Sequence, residues 1–363
     1  MNKVESLYIH IPFCNQICDY CDFTKLQYFR NFAVSYLTAL KKELASYDIQ
    51  ALETIYVGGG TPTALDDDLF EELLKIIKPY TGGVKEFTFE ANPESLTPSK
   101  IKALKENGVN RISIGVQTTN DKMLKALNRH HTFEDVKKAV ALLEENGIDN
   151  INVDLILGLP HANEKQLIED LDNILSLGVK HVSCYGLSVN PHTVLFTKGY
   201  QEPNPDLLRK YYDIVEERLI SNGYIHYEVS NWSREGYQSL HNLTYWRNEQ
   251  YFGVGLGASG YVGEVRYKNT VNLAKYLEGQ YRQEEEIVTP KDRFTYQVML
   301  NLRTKEGLSL KLVKEEFGID LLITKGKEIA SFIEQDYLIN QCDCLIPTYQ
   351  GMMILDQLIL ALI

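Results

Sequence analysis

Three thiols carry the first chemical signal in this chain. Cys14, Cys18 and Cys21 form a C-x-x-x-C-x-x-C run directly after an apolar segment that ends in Pro12. Three thiolates in one loop can hold three irons of a [4Fe–4S] cube, which leaves the fourth iron without a protein ligand and open to another molecule. A structural zinc site normally needs a fourth Cys or His, usually arranged as two pairs. The remaining cysteines, Cys184, Cys342 and Cys344, are scattered. Cys342 and Cys344 alternate on one face of an expected strand, a packing pattern before a metal pattern. A second signal is HNLTYW (241–246), in a stretch rich in Gly and aromatic residues. If the segment is helical, His241 and Tyr245 share one face. Imidazole is a common axial ligand of haem iron, and aromatic rings can cover a flat macrocycle. A His in such a loop more often packs or makes a hydrogen bond, so this motif is weaker than the thiols.

Two sequence periods must position these groups. Up to about residue 222, β-rich runs alternate with helical patterns. The runs are SLYIHIP (6–12), ETIYVGG (53–59), EFTFEAN (86–92), RISIGVQ (111–117), INVDLILGLP (151–160) and HVSCYGLSV (181–189). Between them lie stretches such as LFEELLKII (69–77) and VKKAVALLEENG (136–147), with apolar residues three and four apart. Gly147 and Gly178 read as helix C-caps. Strand–helix alternation with short loops predicts an α/β fold with a helix-covered parallel sheet. Six units make an open or partial (β/α)6 barrel; a doubly wound sheet has the same periodicity. YIHYEVSNW (224–232) is read as one further strand. From Pro290 the pattern gives two helices joined by a Gly307 turn, another helix, and a hairpin over 341–351, together a winged-helix-like α+β unit. The expected division is 1–222, barrel; 223–288, connecting region with the His241 motif; and 289–363, winged-helix-like domain.

Composition excludes several classes. Apolar residues at 44% and charged residues at 24% are values of a globular protein. With 37 Lys plus Arg against 49 Asp plus Glu, the net charge is −12, which disfavours nucleic acid as a partner. No apolar run approaches the ~20 residues of a membrane span; MMILDQLILALI (352–363) is shorter, is broken by Asp356 and Gln357, and reads as a packed terminal helix. The N-terminus lacks the pattern of a secretion signal, so the expected location is the cytosol. Six cysteines in 363 residues are too few for a disulfide scaffold, and a clustered trio in a reducing compartment points to metal.

The cysteine loop, with Tyr20 before its last thiol, resembles that of radical SAM enzymes. YIHIPFC (8–14), VGGGTPT (57–63), FEANPES (89–95), SIGVQT (113–118), LNRHH (127–131) and DLILGLP (154–160) together resemble the oxygen-independent coproporphyrinogen III oxidase family. The resemblance implies a partial (β/α)6 radical SAM barrel, with a [4Fe–4S] cluster on Cys14, Cys18 and Cys21. Its open iron would chelate the amino and carboxylate groups of S-adenosylmethionine (SAM), and reduction would release a 5′-deoxyadenosyl radical. It further places Tyr8 beside the methionine end, Tyr20 near the adenine, and Gly59, Gly60 and Thr61 at the amino end. Glu90, Gln117, Arg129 and Asp154 complete the SAM site. The chemistry agrees: a Gly run admits close backbone approach, a carboxylate can accept both ribose hydroxyls, and an Arg fork can pair with a carboxylate. His10, among alternating apolar residues, reads as a buried hydrogen-bonding residue.

Two departures separate the chain from the oxidases of that family. Their cluster loop usually continues to a fourth Cys where this chain has Phe23, and only 13 residues precede Cys14. HNLTY resembles the H-N-x-x-Y haem motif of the family's haem-chaperone branch. The expectation is therefore a haem carrier using haem, SAM and the cluster, with His241 and Tyr245 in the haem site. Its partners would be a haem-accepting protein and an electron donor for the cluster. Propionate decarboxylation of coproporphyrinogen III is the alternative, and a radical SAM enzyme for another small molecule is a third reading.

Overall fold

The computed structural model describes residues 3–363. Six parallel strands form its centre: β1 (Ser6–Ile11), β2 (Thr54–Gly59), β3 (Glu86–Ala91), β4 (Arg111–Gln117), β5 (Asn150–Leu157) and β6 (His181–Gly186). They lie side by side in chain order, each paired with the next. Helices α1 (Arg30–Ala45), α2 (Asp67–Ile77), α3 (Pro98–Glu106), α4 (Phe133–Glu145), α5 (Glu164–Ser176) and α6 (Pro205–Ser221) follow these strands. Parallel strands need such crossovers, and helices cover the sheet's apolar face. Gly147 and Gly178, at positive φ of 73° and 71°, end α4 and α5 as the sequence predicts.

Strand alternation sorts the side chains. Leu7, Ile9, Ile55, Val57, Phe87, Phe89, Ile112, Ile114, Ile151, Val153 and Val182 join one apolar core with the helices. The opposite parity is polar, bringing Ser6, Tyr8, Thr54, Tyr56, Glu86, Glu90, Arg111, Ser113, Asn152, Asp154, His181 and Ser183 onto one concave face. Cross-strand bonds tie that face together, as between Ser6 and Thr54 (2.9 Å), Asn152 and Ser113 (2.8 Å), and His181 and Asn152 (2.6 Å). This polar interior is the lumen of the partial barrel.

The sheet extends to nine strands without β1 pairing to β6. The run 224–232 is two strands rather than one: β7 (Ile225–Glu228) and β8 (Asn231–Ser233) form an antiparallel hairpin, and β8 pairs antiparallel to β6. Helix α7 (Leu240–Trp246) carries HNLTY, and β9 (Phe252–Val254) pairs parallel to β1 at the other edge. Strands Ser259–Val262, Val265–Asn269 and Arg282–Ile287 form a separate antiparallel sheet.

From Pro290 onward a second apolar core gathers Val298, Leu302, Leu308, Val313, Leu345, Leu358 and Leu362. Helices Pro290–Asn301, Leu310–Phe317 and Gly326–Glu334 pack with a three-stranded sheet whose central strand is Cys344–Pro347. That is the expected winged-helix order. Cys342 is not on a strand face: Cys342 and Asp343, at φ 50° and 62°, make the two-residue turn before Cys344. Such positive-φ pairs match the twist of a hairpin. No helix among the described residues is long and apolar enough to cross a membrane.

Candidate functional site

A cavity of about 310 Å³ opens at the C-terminal ends of the central strands and descends into the lumen. Its wall includes Cys14, Cys18, Tyr20, Cys21, Gly59, Gly60, Thr61, Glu90, Gln117, Arg129 and Asp154. All three thiols and most of the SAM residues named from the sequence thus share one cavity. Tyr8, His241 and Tyr245 are not on that wall.

The cysteine loop is anchored by backbone bonds across the mouth. Gly60 N–H donates to Ile11 C=O at 2.9 Å and Thr61 N–H to Phe13 C=O at 2.8 Å. The Thr61 hydroxyl points to Cys14 Sγ at 3.7 Å, and the Arg129 guanidinium to Cys18 Sγ at 3.6 Å. Burial pushes the Cys14 thiol up to about 11 and raises Cys21, whereas Arg129 and Lys25 favour the respective thiolates. No three His, Cys, Asp or Glu side chains among the described residues converge on a single ion position. Three thiols on one wall are the number that a [4Fe–4S] cube takes when its fourth iron stays open.

The glycine run has a steric cause. A Cβ on Gly60 would lie 2.7 Å from the Pro12 carbonyl carbon and oxygen and 2.9 Å from the Phe13 oxygen, all backbone atoms. Gly59 holds φ 110° and would strike the His10 ring. Gly60→Ala is therefore expected to push the Pro12–Cys14 backbone away. It should cost about 1–3 kcal/mol of stability, typical of overpacking, and lower reconstituted iron per chain. Gly82→Ala, with nothing within 4 Å, is the control that should retain both iron content and melting temperature.

Below the thiols the carboxylates are held firmly. Glu90 accepts from Gly59 N–H and from the Tyr56 hydroxyl, each at 2.8 Å. Burial raises its carboxyl to about 7, and burial also raises Asp154. Asp154 accepts from Asn152 at 2.7 Å and Ser113 at 3.2 Å. Arg129 donates to Asn92 Oδ1 at 2.9 Å and to the Gly115 carbonyl, while its Nε is buried without a partner. Gln117 follows a register shift in β4, holds φ 70° and lines the lumen with Arg111 and Ser113. Tyr20 packs with Leu127, Leu159, Leu187 and Leu195 at the mouth. The Tyr8 hydroxyl meets His10 Nδ1 at 2.9 Å, and His10 Nε2 meets Thr24 C=O at 2.7 Å. His10 is thus a satisfied buried hydrogen-bonding residue.

Sequence reasoning missed several lumen residues. Arg111 is 2% exposed, lines the cavity, and keeps its Nε without a partner. Its charge favours the ionised forms of Glu90 and Asp154 across the lumen. Tyr56, Asn152 and Asn242 also line the cavity. The signal available for the strand residues was their even spacing in RISIGVQ, TIYVGG and NINVDLIL.

HNLTY is helical, as the i, i+4 reading requires, and α7 seats against the opposite end of the lumen from the thiols. Glu86, at the start of β3, accepts from Leu240 N–H (2.7 Å) and His241 N–H (3.1 Å). His241 is fully buried. Its Nδ1 meets the Thr54 hydroxyl at 2.8 Å and its Nε2 the Tyr245 hydroxyl at 2.7 Å. Burial, then the Arg111 charge, lowers its ring to about 3, so the imidazole is neutral. A larger cleft of about 870 Å³ lies beside the C-terminal unit, but its Arg247 and Arg293 are already paired with Glu306 and Glu316.

The sequence profile of the radical SAM superfamily matches residues 8–174, and that of the HemN C-terminal domain matches residues 288–354. The heme chaperone HemW of Lactococcus lactis subsp. lactis (strain IL1403) is 38% identical over 349 residues, covering 94% of this chain and 92% of that protein. The heme chaperone HemW of Bacillus subtilis (strain 168) is 37% identical over 366 residues, covering 96% of each. Among solved structures, the Escherichia coli coproporphyrinogen III oxidase HemN superposes with a TM-score of 0.87 at 20% identity, covering 99% of this chain and 90% of that one. That likeness carries the fold. With end-to-end similarity to proteins named HemW and a thiol-lined cavity at the mouth of a radical SAM barrel, the chain belongs to the HemW family of the radical SAM superfamily.

Proposed function

We propose that this protein binds haem and delivers it to an acceptor protein, using a [4Fe–4S] cluster and SAM held in the partial barrel. The observation that carries this reading is its similarity, over nearly the whole chain, to proteins named heme chaperone HemW. The cluster loop agrees with it, since position 23 is a Phe, 67% exposed at the cavity mouth, where the oxidases usually have a fourth thiol.

Cys14, Cys18 and Cys21 would hold the cluster, which when bound supplies an electron to SAM. Glu90, fixed by Gly59 and Tyr56, would accept from the N–H groups of the SAM amine, and Arg129 would take its carboxylate through the fork. Asp154 would accept the ribose hydroxyls, with Gln117 beside it. Gly60 and Thr61 would line the amino end, Tyr20 would cover the adenine, and Tyr8 would support the wall through His10. His241 and Tyr245 would serve haem, through imidazole ligation and orientation of that ring. All six cysteines are free thiols, as suits a reducing cytosol, where a haem-accepting protein and a reductant for the cluster would be the partners.

Soret titration of the anaerobically reconstituted protein tests the reading, with a coproporphyrinogen III decarboxylation assay alongside. Saturable binding of one haem per chain without decarboxylation is expected. Robust decarboxylation, or no saturable haem binding, would overturn it.

A further inference from the structure

The turn that carries Cys18 and Cys21 is held from two sides. Cys21 N–H donates to Cys18 C=O at 3.2 Å, which closes the turn around Asp19 and Tyr20. On one side, Asp19 N–H donates to Leu127 C=O at 3.1 Å and Asn128 Nδ2 to Ile17 C=O at 2.8 Å. On the other side lies the connection after β6, whose residues 188–202 make an Ω-loop closed on itself. The Glu202 carboxylate accepts from Val189 N–H at 3.0 Å and from the Ser188 hydroxyl at 2.9 Å. Thr193 caps the short helix Val194–Thr197, and Tyr200 N–H donates to Leu195 C=O at 3.1 Å. This loop grips the cysteine turn at three points. Leu195 N–H donates to Asp19 C=O at 2.9 Å, Lys198 Nζ pairs with Asp19 Oδ2 at 2.5 Å, and Asn190 Nδ2 donates to Asp22 Oδ2 at 2.6 Å.

We propose that residues 188–202 are a strap that positions Cys18 and Cys21 for the cluster, with Asp19, Asn190 and Lys198 as its positioning residues. This rests on the reading of Cys14, Cys18 and Cys21 as the cluster ligands. A turn that must present two thiolates at a set separation loses backbone freedom when the cluster assembles, unless other contacts have already ordered it. The three grips do that ordering in the chain itself, and they act on the residues that directly follow Cys18 and Cys21. Cys14 is held differently, through the Gly60 and Thr61 backbone bonds. The strap therefore governs two of the three thiols. Asp19 is its most sensitive point: the residue is 5% exposed, and Lys198 is the one side chain among the described residues that bonds its carboxylate. Removing Lys198 leaves a buried carboxylate unpaired, and opening the turn to water is its relief.

The experiment uses the full chain, first free of cluster and then reconstituted. Alkylation of each cysteine by iodoacetamide is followed by mass spectrometry in the cluster-free chain, and iron loss to a ferrous chelator in the reconstituted one. Lys198→Ala should speed alkylation of Cys18 and Cys21, and loss of iron, by about fivefold or more, because the Asp19 carboxylate is left unpaired. The Cys14 rate should stay at the parent value. Asn190→Ala should act in the same direction with a smaller effect, and it reads the strap even if Lys198→Ala fails to fold. Lys198→Arg keeps the charge and should restore parent rates. Unchanged rates in both alanine variants would overturn the positioning role. An equal rise at Cys14 and at the buried Cys184 would overturn it too, since that marks general loosening. Faster alkylation at Cys18 and Cys21 with iron loss unchanged would instead overturn the assignment of those thiols to the cluster.

Discussion

Substituting Cys14, Cys18 and Cys21 together by Ser is expected to abolish the cluster absorbance and the reconstituted iron. The loop alone brings thiols to the cavity mouth: Cys14 beside Thr61, Cys18 beside Arg129, and Cys21 on the same wall. A Ser hydroxyl is a hard donor that ordinarily stays protonated and is a much poorer ligand than thiolate for iron–sulfur clusters, so losing all three thiolates removes the site. The other cysteines are badly placed to substitute. Cys184 is fully buried on the helix-covered face of β6, and Cys342 and Cys344 lie at a hairpin of the C-terminal unit. Iron and sulfide analysis after reconstitution gives the measurement. A full cluster in the triple variant would show that ligands outside the loop suffice.

SAM affinity should fall by about tenfold or more in Glu90→Ala and in Asp154→Ala, with iron content near the parent value. A hydrogen bond to a charged group contributes ~1.5–3 kcal/mol, and 1.4 kcal/mol is a factor of ten. The sequence reading groups Arg129 with these two, but Arg129 also touches Cys18 Sγ, so Arg129→Ala should lose iron as well as SAM. Glu90 gives the binding a pH signature. Burial raises its carboxyl to about 7, and only the ionised carboxylate offers both oxygens as acceptors to the SAM amine N–H groups. Affinity should therefore decline as pH falls below about 7, and Glu90→Gln should flatten that limb. Equilibrium dialysis across pH 6–8, with iron assayed in each sample, checks both points. Loss of the cluster along with SAM in Glu90→Ala and Asp154→Ala would mark these carboxylates as structural.

The strands, the helices between them and the thiol loop were legible because each leaves a local mark: period two, period three to four, or fixed spacing. Gly147 and Gly178 announce helix ends because few other residues tolerate positive φ. The reversal at Val229–Ser230 was not legible, since neither Gly nor Pro marks it and hydrophobic alternation continues through it. The Cys342–Asp343 turn was hidden for the converse reason: Cys is an uncommon residue at positive φ, and C-x-C has the period of a strand. The site divides similarly. Residues carried by motifs were named, whereas Arg111 and Tyr56 owe their place to strand parity around a lumen. Nor does spacing disclose that both nitrogens of His241 are engaged by Thr54, far away in sequence, and Tyr245.

The contact between β7 and the C-terminal unit has a consequence for solubility. β7 is the last strand of the large sheet. Its outer edge is not left bare: Glu228 bridges to Thr304, Val229 N–H donates to Arg303 C=O at 3.0 Å, and Lys305 N–H donates to Tyr227 C=O at 2.9 Å. The segment after helix Pro290–Asn301 therefore acts as a selvedge, consuming donors and acceptors that would otherwise recruit a strand from another molecule. Self-association through that edge is blocked by the chain's own C-terminal third, whatever ligand the barrel carries.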